Sequence, residues 1–188
     1  MNERLLRVIT EGQLAERAPQ AVDAATLATA GTMLEEIRRG GDAAALAHAR
    51  RLGELAEGEP AVRSRSDCEA ALRRLPSEQR DVLMRVAERI RAFAQAQRDS
   101  LRDLDRPMPG GAAGHTCVPV YAAGCYAPGG RYPLPSSVLM TAITARVAGV
   151  ARVWVASPRP TDATLAAAAI AGADGVLAIG GVQAGGAP

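Results

Sequence analysis

Between Val118 and Gly181 the chain alternates short apolar runs with capped helical stretches. This order restricts its fold more than any other feature. VPVYAAGCYA reads as a strand. PSSVLMTAITARVAG reads as a helix capped by Ser136 or Ser137 and stopped at Gly149. ARVWVAS is a second strand, and DATLAAAAIAGA is a helix capped by Thr161 and ended by Gly172. GVLAIGG is a third strand. Short helical crossovers join parallel strands, so β-α-β-α-β predicts a right-handed wound sheet.

The residues before this block carry a helical period. LATAGTMLEEIRRG puts Leu27, Met33, Leu34 and Ile37 near one face and stops at Gly40-Gly41, after which Asp42 can cap a further helix. Ser66-Asp67-Cys68-Glu69 matches a capping box. Pro76-Ser77 opens a long helix in which Val82, Val86, Ile90 and Phe93 recur. Its arginines are interleaved with Glu78, Asp81 and Glu88, the pattern of a solvated face rather than a nucleic-acid stripe. DRPMPGGAAGH reads as a linker or turn. The expected organisation is therefore a helical region over 1–113 and an α/β region over 114–188. The fold class is α/β: an N-terminal helical segment, then an incomplete Rossmann-like three-layer unit with parallel strands.

Composition excludes several chemistries. Aromatic residues make up 3% of the chain against 48% hydrophobic residues, so the core must be built from Ala, Leu and Val. Every basic residue is Arg, which excludes a Schiff-base lysine or a lysine-bearing phosphate loop. A net charge of +2 argues against nucleic acid as a partner. Cys68, Cys117 and Cys125 have no close metal-ligand spacing and are expected to be reduced thiols in a cytoplasmic protein. The charged start MNERLLRVITEGQLAER lacks an apolar signal core, and no apolar run is long enough for a membrane span. His48 reads as a packing or surface residue, and His115 has no neighbouring ligand partner.

In a parallel sheet the loops after the strands share one edge, where ligands bind. Pro128-Gly129-Gly130 and Gly180-Gly181 therefore belong together. Glycine lets a ligand approach the backbone, Tyr126 can stack on a flat ring, and Gln183 offers both a donor and an acceptor. Two readings stand at this point: a cofactor shelf, or tight strand-to-helix connections that use Pro and Gly with no ligand.

YAPGGRYPLPSSVLMTAITARVAGV, followed by VWVASPRPTDATLAAAAIAGADGVLAIGGVQA, closely resembles the histidinol dehydrogenase family. The resemblance lies in a Tyr-x-Pro-Gly-Gly loop, Pro-Ser-Ser-Val-Leu-Met, Ala-x-Val-Ala-Gly-Val and a Gly-Gly-x-Gln-Ala end in which Val182 replaces an Ala. It extends more loosely through IRRGGDAAALAHARRL and AERIRAFAQAQ. GGRYPL is also similar to sibling enzymes that oxidise other alcohols, such as sulfopropanediols. The resemblance implies a zinc-dependent homodimer that oxidises L-histidinol to L-histidine with NAD. It implies that Tyr126 and Gln183 contact NAD. It also implies that the zinc ligands, the acid/base pair and a further NAD-contacting Asn lie beyond the position of Pro188, where GGAP replaces the family's Ala-rich helix. No catalytic residue and no metal ligand is expected within 1–188, and the chain is expected to be an inactive fragment. The alternatives are a piece of a sibling dehydrogenase, or a non-catalytic nucleotide-binding or interaction module.

Overall fold

The structure is a computed structural model that describes Thr10, Gly12 and residues 23–129 and 132–186. The charged helix expected at the start, Gly130, Arg131 and Ala187-Pro188 lie outside the described residues. Among the described residues the first part holds α1 (Ala24–Arg51), α2 (Arg65–Arg74) and α3 (Ser77–Ser100), with the short strand β1 (Val62–Ser64) before α2. A hairpin follows, β2 (Leu104–Met108) and β3 (Gly111–His115). Then come β4 (Ala122–Tyr126), α4 (Pro135–Val147), β5 (Arg152–Ala156), α5 (Asp162–Ala171), β6 (Gly175–Leu177) and α6 (Gly181–Gly186).

The three strands read from the α/β block are parallel, β4 to β5 and β5 to β6. β1 adds an antiparallel edge strand on β6, so the four strands run in the order β1-β6-β5-β4. Val62–Ser64 is too short and too polar for its alternation to be read from sequence. The segment read as a linker or turn is the turn and both arms of the antiparallel hairpin β2–β3, paired from Leu104–His115 to Met108–Gly111. Its turn uses Gly110 at φ +88°, a conformation that glycine adopts without strain.

Alternation along the strands sets the layers. Cys125, Val153, Val155 and Val176 are buried against α2, α3, α4 and α5 in one cluster with Ala71, Ala87, Leu139, Ile143 and Ala168. Apart from Leu139 these residues are small or β-branched, so the helices pack close to the sheet. On the opposite face Leu177 joins a second, smaller cluster with Ala49, Leu55, Ala178 and Ile179, which brings the end of α1 and α6 onto the sheet. The three layers are therefore present, and among the described residues the outer one covers the β6 end.

Local details differ from the sequence reading. The capping box is Ser64 with Asp67, two residues earlier than expected, because β1 ends at Ser64 and α2 starts at once. α4 begins at Pro135 with Leu134 at its cap and no side-chain cap bond; the proline ring presets the helical φ and lacks an N–H, so it displaces the serines from the capping position. α3 buries Ala87 and Ala94 and packs Leu83, Val86 and Ile90, whereas Phe93 is 68% exposed. The expected break at Gly40-Gly41 is present: Gly41 leaves the helical conformation at φ +58° and ψ −146°, so Ala24–Arg51 consists of two helices that meet at a kink. His48, buried on α1, bonds Glu36 across that kink at 2.8 Å and Arg51 at 2.8 Å. Thr161 and Gly172 cap α5 as expected, with Gly172 in the left-handed region.

The starting edge of the strands is tied by Arg146 on α4. Its guanidinium donates to the Gly172 carbonyl at 2.8 Å and the Ala151 carbonyl at 2.7 Å, and pairs with Asp174 at 2.7 Å. The Asp174 carboxylate also accepts from the Val153 N–H at 2.8 Å. Burial pushes the Asp174 carboxyl up, but the Val153 N–H and the Arg146 guanidinium outweigh it and hold it below its ordinary value. A carboxyl so lowered adds stability above its ordinary value and loses it as the pH falls through the lowered one. Asp174→Asn should therefore cost about 1–2 kcal/mol near neutral pH. The cost should shrink as urea denaturation is repeated below about pH 4. A cost independent of pH would contradict this account.

Candidate functional site

At the opposite edge, three loops continue the sheet's hydrogen bonding. The Ala127 N–H donates to the Ala156 carbonyl at 2.9 Å, Ser157 to Leu177 at 2.9 Å, and Ala178 to Ala61 at 2.7 Å. The loop after β5 enters as Ser157-Pro158-Arg159-Pro160, and Pro158 is buried between the other two loops. A Cβ on Gly129 would collide with the Pro158 carbonyl oxygen and ring. A Cβ on Gly180 would lie 2.7 Å from the Pro158 ring. Both glycines are thus required by the same proline. The two glycine loops share one edge, as expected, with the β5 loop wedged between them.

Beside this wedge lies a cleft of about 690 Å³ on the open face of the sheet, lined by Gly124, Tyr126, Trp154, Ala156, Leu177 and Gly181. Tyr126 ends β4 at the rim, 47% exposed, so part of its ring is available to a flat partner. Its hydroxyl accepts a long hydrogen bond, 3.4 Å, from the Gly181 N–H. Trp154 reaches the same face because it alternates with the buried Val153 and Val155.

Gln183 is on α6 and is 0% exposed. It does not line the cleft. Its Nε2 donates to Glu54 Oε2, and the same oxygen accepts from the Gly180 N–H at 3.0 Å. Gln183 Oε1 is buried with no hydrogen-bond partner. It lies beneath Gly181: a Cβ there would come within 3.2 Å of it. Tyr126 and Gln183, far apart in sequence, therefore meet the same residue, Gly181, from its two sides. Glu54 and Pro158 were not singled out from sequence. Glu54 belongs to no motif, and Pro158 is one of several prolines in the block.

The described residues do not fit a metal centre: no three His, Cys, Asp or Glu among them converge. Burial pushes the Cys68 thiol up to about 11, far from the thiolate a metal would need. Cys125 is also pushed up by burial. All three cysteines are free. His115 is exposed at the end of β3, and His48 is engaged on α1. The cleft offers an aromatic face, an apolar floor and close glycine backbone, with one unpaired acceptor, Gln183 Oε1, buried behind its Gly181 lining. That set suits a small-molecule ligand with a flat ring and hydrogen-bond donors.

A family model described as histidinol dehydrogenase matches residues 16–187. Histidinol dehydrogenase of Methanosarcina mazei is 43% identical over 163 residues, which is 83% of this chain and 37% of that protein. Histidinol dehydrogenase homolog 1 of Mesorhizobium japonicum is 37% identical over 81% of this chain and 31% of its own length. Sulfopropanediol 3-dehydrogenase of Ruegeria pomeroyi is 38% identical over 82% of this chain and 37% of its own length. The chain thus spans between 31% and 37% of the length of these relatives. The crystal structure of histidinol dehydrogenase from Elizabethkingia anophelis shares the fold, with a TM-score of 0.75 at 24% identity, over 90% of this chain and 39% of that one.

The Pro158 wedge makes its own prediction. Gly180→Ala should cost about 1–3 kcal/mol, because the rigid proline ring cannot yield to the new methyl. Adding Pro158→Ala should recover more than half of that loss in a thermal melt. Strictly additive losses would show that the two residues do not meet.

Proposed function

The chain belongs to the histidinol dehydrogenase family, and from that premise we propose that its α/β region binds NAD at the cleft between Tyr126 and Gly181. The observation that carries this reading is the convergence of Tyr126 and the unpaired Gln183 Oε1 on one turn. These residues fit a dinucleotide. A tyrosine ring at the rim stacks on a base or nicotinamide face, Gly124 and Gly181 line the cleft without side chains, and the Gln183 acceptor buried behind Gly181 takes an N–H or O–H of the ligand when that turn opens. Bound NAD would supply the hydride acceptor for oxidation of an alcohol. The chain's own part is to hold and orient it and to exclude water from one side of it.

L-Histidinol is the proposed substrate of the whole protein, oxidised to L-histidine in histidine biosynthesis in the cytoplasm. A second reading, oxidation of a sulfopropanediol, is supported by the Ruegeria pomeroyi relative. Zinc enters neither reading at these residues, because the described donors do not fit it. No step of proton transfer is assigned to them either. We also propose a homodimer. The β2–β3 hairpin is exposed along its whole length, and Leu101, Leu104, Met108, Val118 and Val120 form apolar surface that a second subunit would cover.

The test is calorimetric titration with NAD. Binding should be weak, and Tyr126→Ala should lower the affinity at least about tenfold, the worth of a stacked ring. Tyr126→Phe should change it little, since the hydroxyl's bond to Gly181 is long. Equal affinities for wild type and Tyr126→Ala would remove Tyr126 from the site. The 188-residue polypeptide should form no reduced cofactor with L-histidinol, with or without added zinc. In light scattering it should behave as a dimer or larger species. A monodisperse monomer would contradict the interface, and turnover of histidinol would contradict the division of labour.

A further inference from the structure

We propose that Glu54 is a positioning residue that sets the orientation of the Gln183 carboxamide and so determines what that amide presents to the cofactor. This inference rests on the reading of Gln183 as part of the NAD site.

The geometry carries it. Glu54 lies in the turn after α1, where its N–H donates to the Ala49 carbonyl at 2.9 Å. The next residue, Leu55, is buried in the small cluster with Ala178 and Ile179. The carboxylate is thus delivered to the β6–α6 turn by packing on both sides of that cluster. One oxygen, Oε2, accepts from the Gly180 N–H and from Gln183 Nε2. An ionised carboxylate only accepts hydrogen bonds. It therefore admits the NH₂ end of the amide and rejects the carbonyl end. Flipping the carboxamide would set Oε1 against Oε2, two acceptors in contact. With the NH₂ end fixed, Oε1 is the end left over, buried beneath Gly181 with no donor. Gly181 lines the cleft. Oε1 is itself fully buried behind Gly181, so a ligand group that reaches it past that turn must be a donor, such as an exocyclic amino group or a ribose hydroxyl. Without Glu54 the amide is free to present either end.

A residue that only stabilises the turn would lower the melting temperature and leave the affinity of the folded protein unchanged. A residue that acts through its charge would tolerate Asp and not Gln. Amide orientation predicts a third pattern. Glu54→Gln keeps an acceptor oxygen at the same reach and should hold NAD affinity within about threefold. Glu54→Asp keeps the charge but is one methylene short, and with Glu54→Ala it should weaken NAD about tenfold. The ligand-free readout is the ¹⁵N spectrum of the Gln183 side-chain amide. Its two protons should exchange slowly with solvent in the wild type and in Glu54→Gln, and fast in Glu54→Asp and Glu54→Ala.

Gln183→Ala serves as the control. If it weakens NAD while the Asp and Ala variants of Glu54 bind normally, the inference is overturned and the cofactor site stands. If Gln183→Ala has no effect, or the wild type shows no NAD binding, the cofactor reading itself is overturned and the inference goes with it. Fast exchange of the Gln183 amide in the wild type would overturn the inference on its own. If Glu54→Ala fails to fold, the comparison of Gln with Asp decides the matter.

Discussion

Parallel, in-register pairing of β4 with β5 and of β5 with β6 is the constraint on which the rest of the molecule depends. It sends three successive loops to one edge of the sheet and three strand starts to the other. The start edge is closed by a charged clamp, with Arg146 and Asp174 satisfying the backbone of Val153 and Gly172. Carbonyls and N–H groups that would otherwise be orphaned there are paired, as buried backbone requires. The loop edge is built differently. It is packed by Pro158 against two glycines and left open on the face of Tyr126 and Trp154. Stability is concentrated at one edge and ligand access at the other.

The layers follow from the same register. Because Cys125, Val153, Val155 and Val176 point one way, four helices pack on that face in a core of small side chains. Alanine fills much of it, at positions such as Ala142, Ala167 and Ala168, which lets the helices sit close to the sheet with few aromatic residues in the chain. Among the described residues the other face is covered where α1 and α6 meet Leu177, and the cleft begins where that cover stops.

Much of this order is legible in the sequence because period and punctuation agree over the α/β block. Apolar runs bounded by Gly and Ser mark β4 to β6, and Thr161 and Gly172 bound α5 as the sequence implies. β1 is not legible, since three polar-flanked residues carry no alternation and pair only because β6 offers an edge. The arms of the β2–β3 hairpin hide behind their Pro and Gly content, which marks a linker or turn but not the strands that pair on either side of it. Phe93 fits the helical period of α3 yet faces solvent, because the packed stripe runs through Leu83, Val86, Ala87, Ile90 and Ala94 instead. At the site, Tyr126 and Gln183 are named by resemblance, but their common neighbour Gly181 and the carboxylate of Glu54 emerge only in three dimensions. Glu54 is 129 residues from Gln183, and no local pattern connects them.

Whether the loop edge, and not the clamped edge, receives NAD is decided by mapping NAD onto the ¹⁵N-labelled chain by NMR. Shifts should be confined to the amides of Tyr126, Ala127, Gly129 and Gly180–Ala184, with those of Gly149–Ala151 and Gly172–Asp174 unmoved. Shifts centred on the Arg146 edge, or spread evenly over the exposed β2–β3 hairpin, would contradict it.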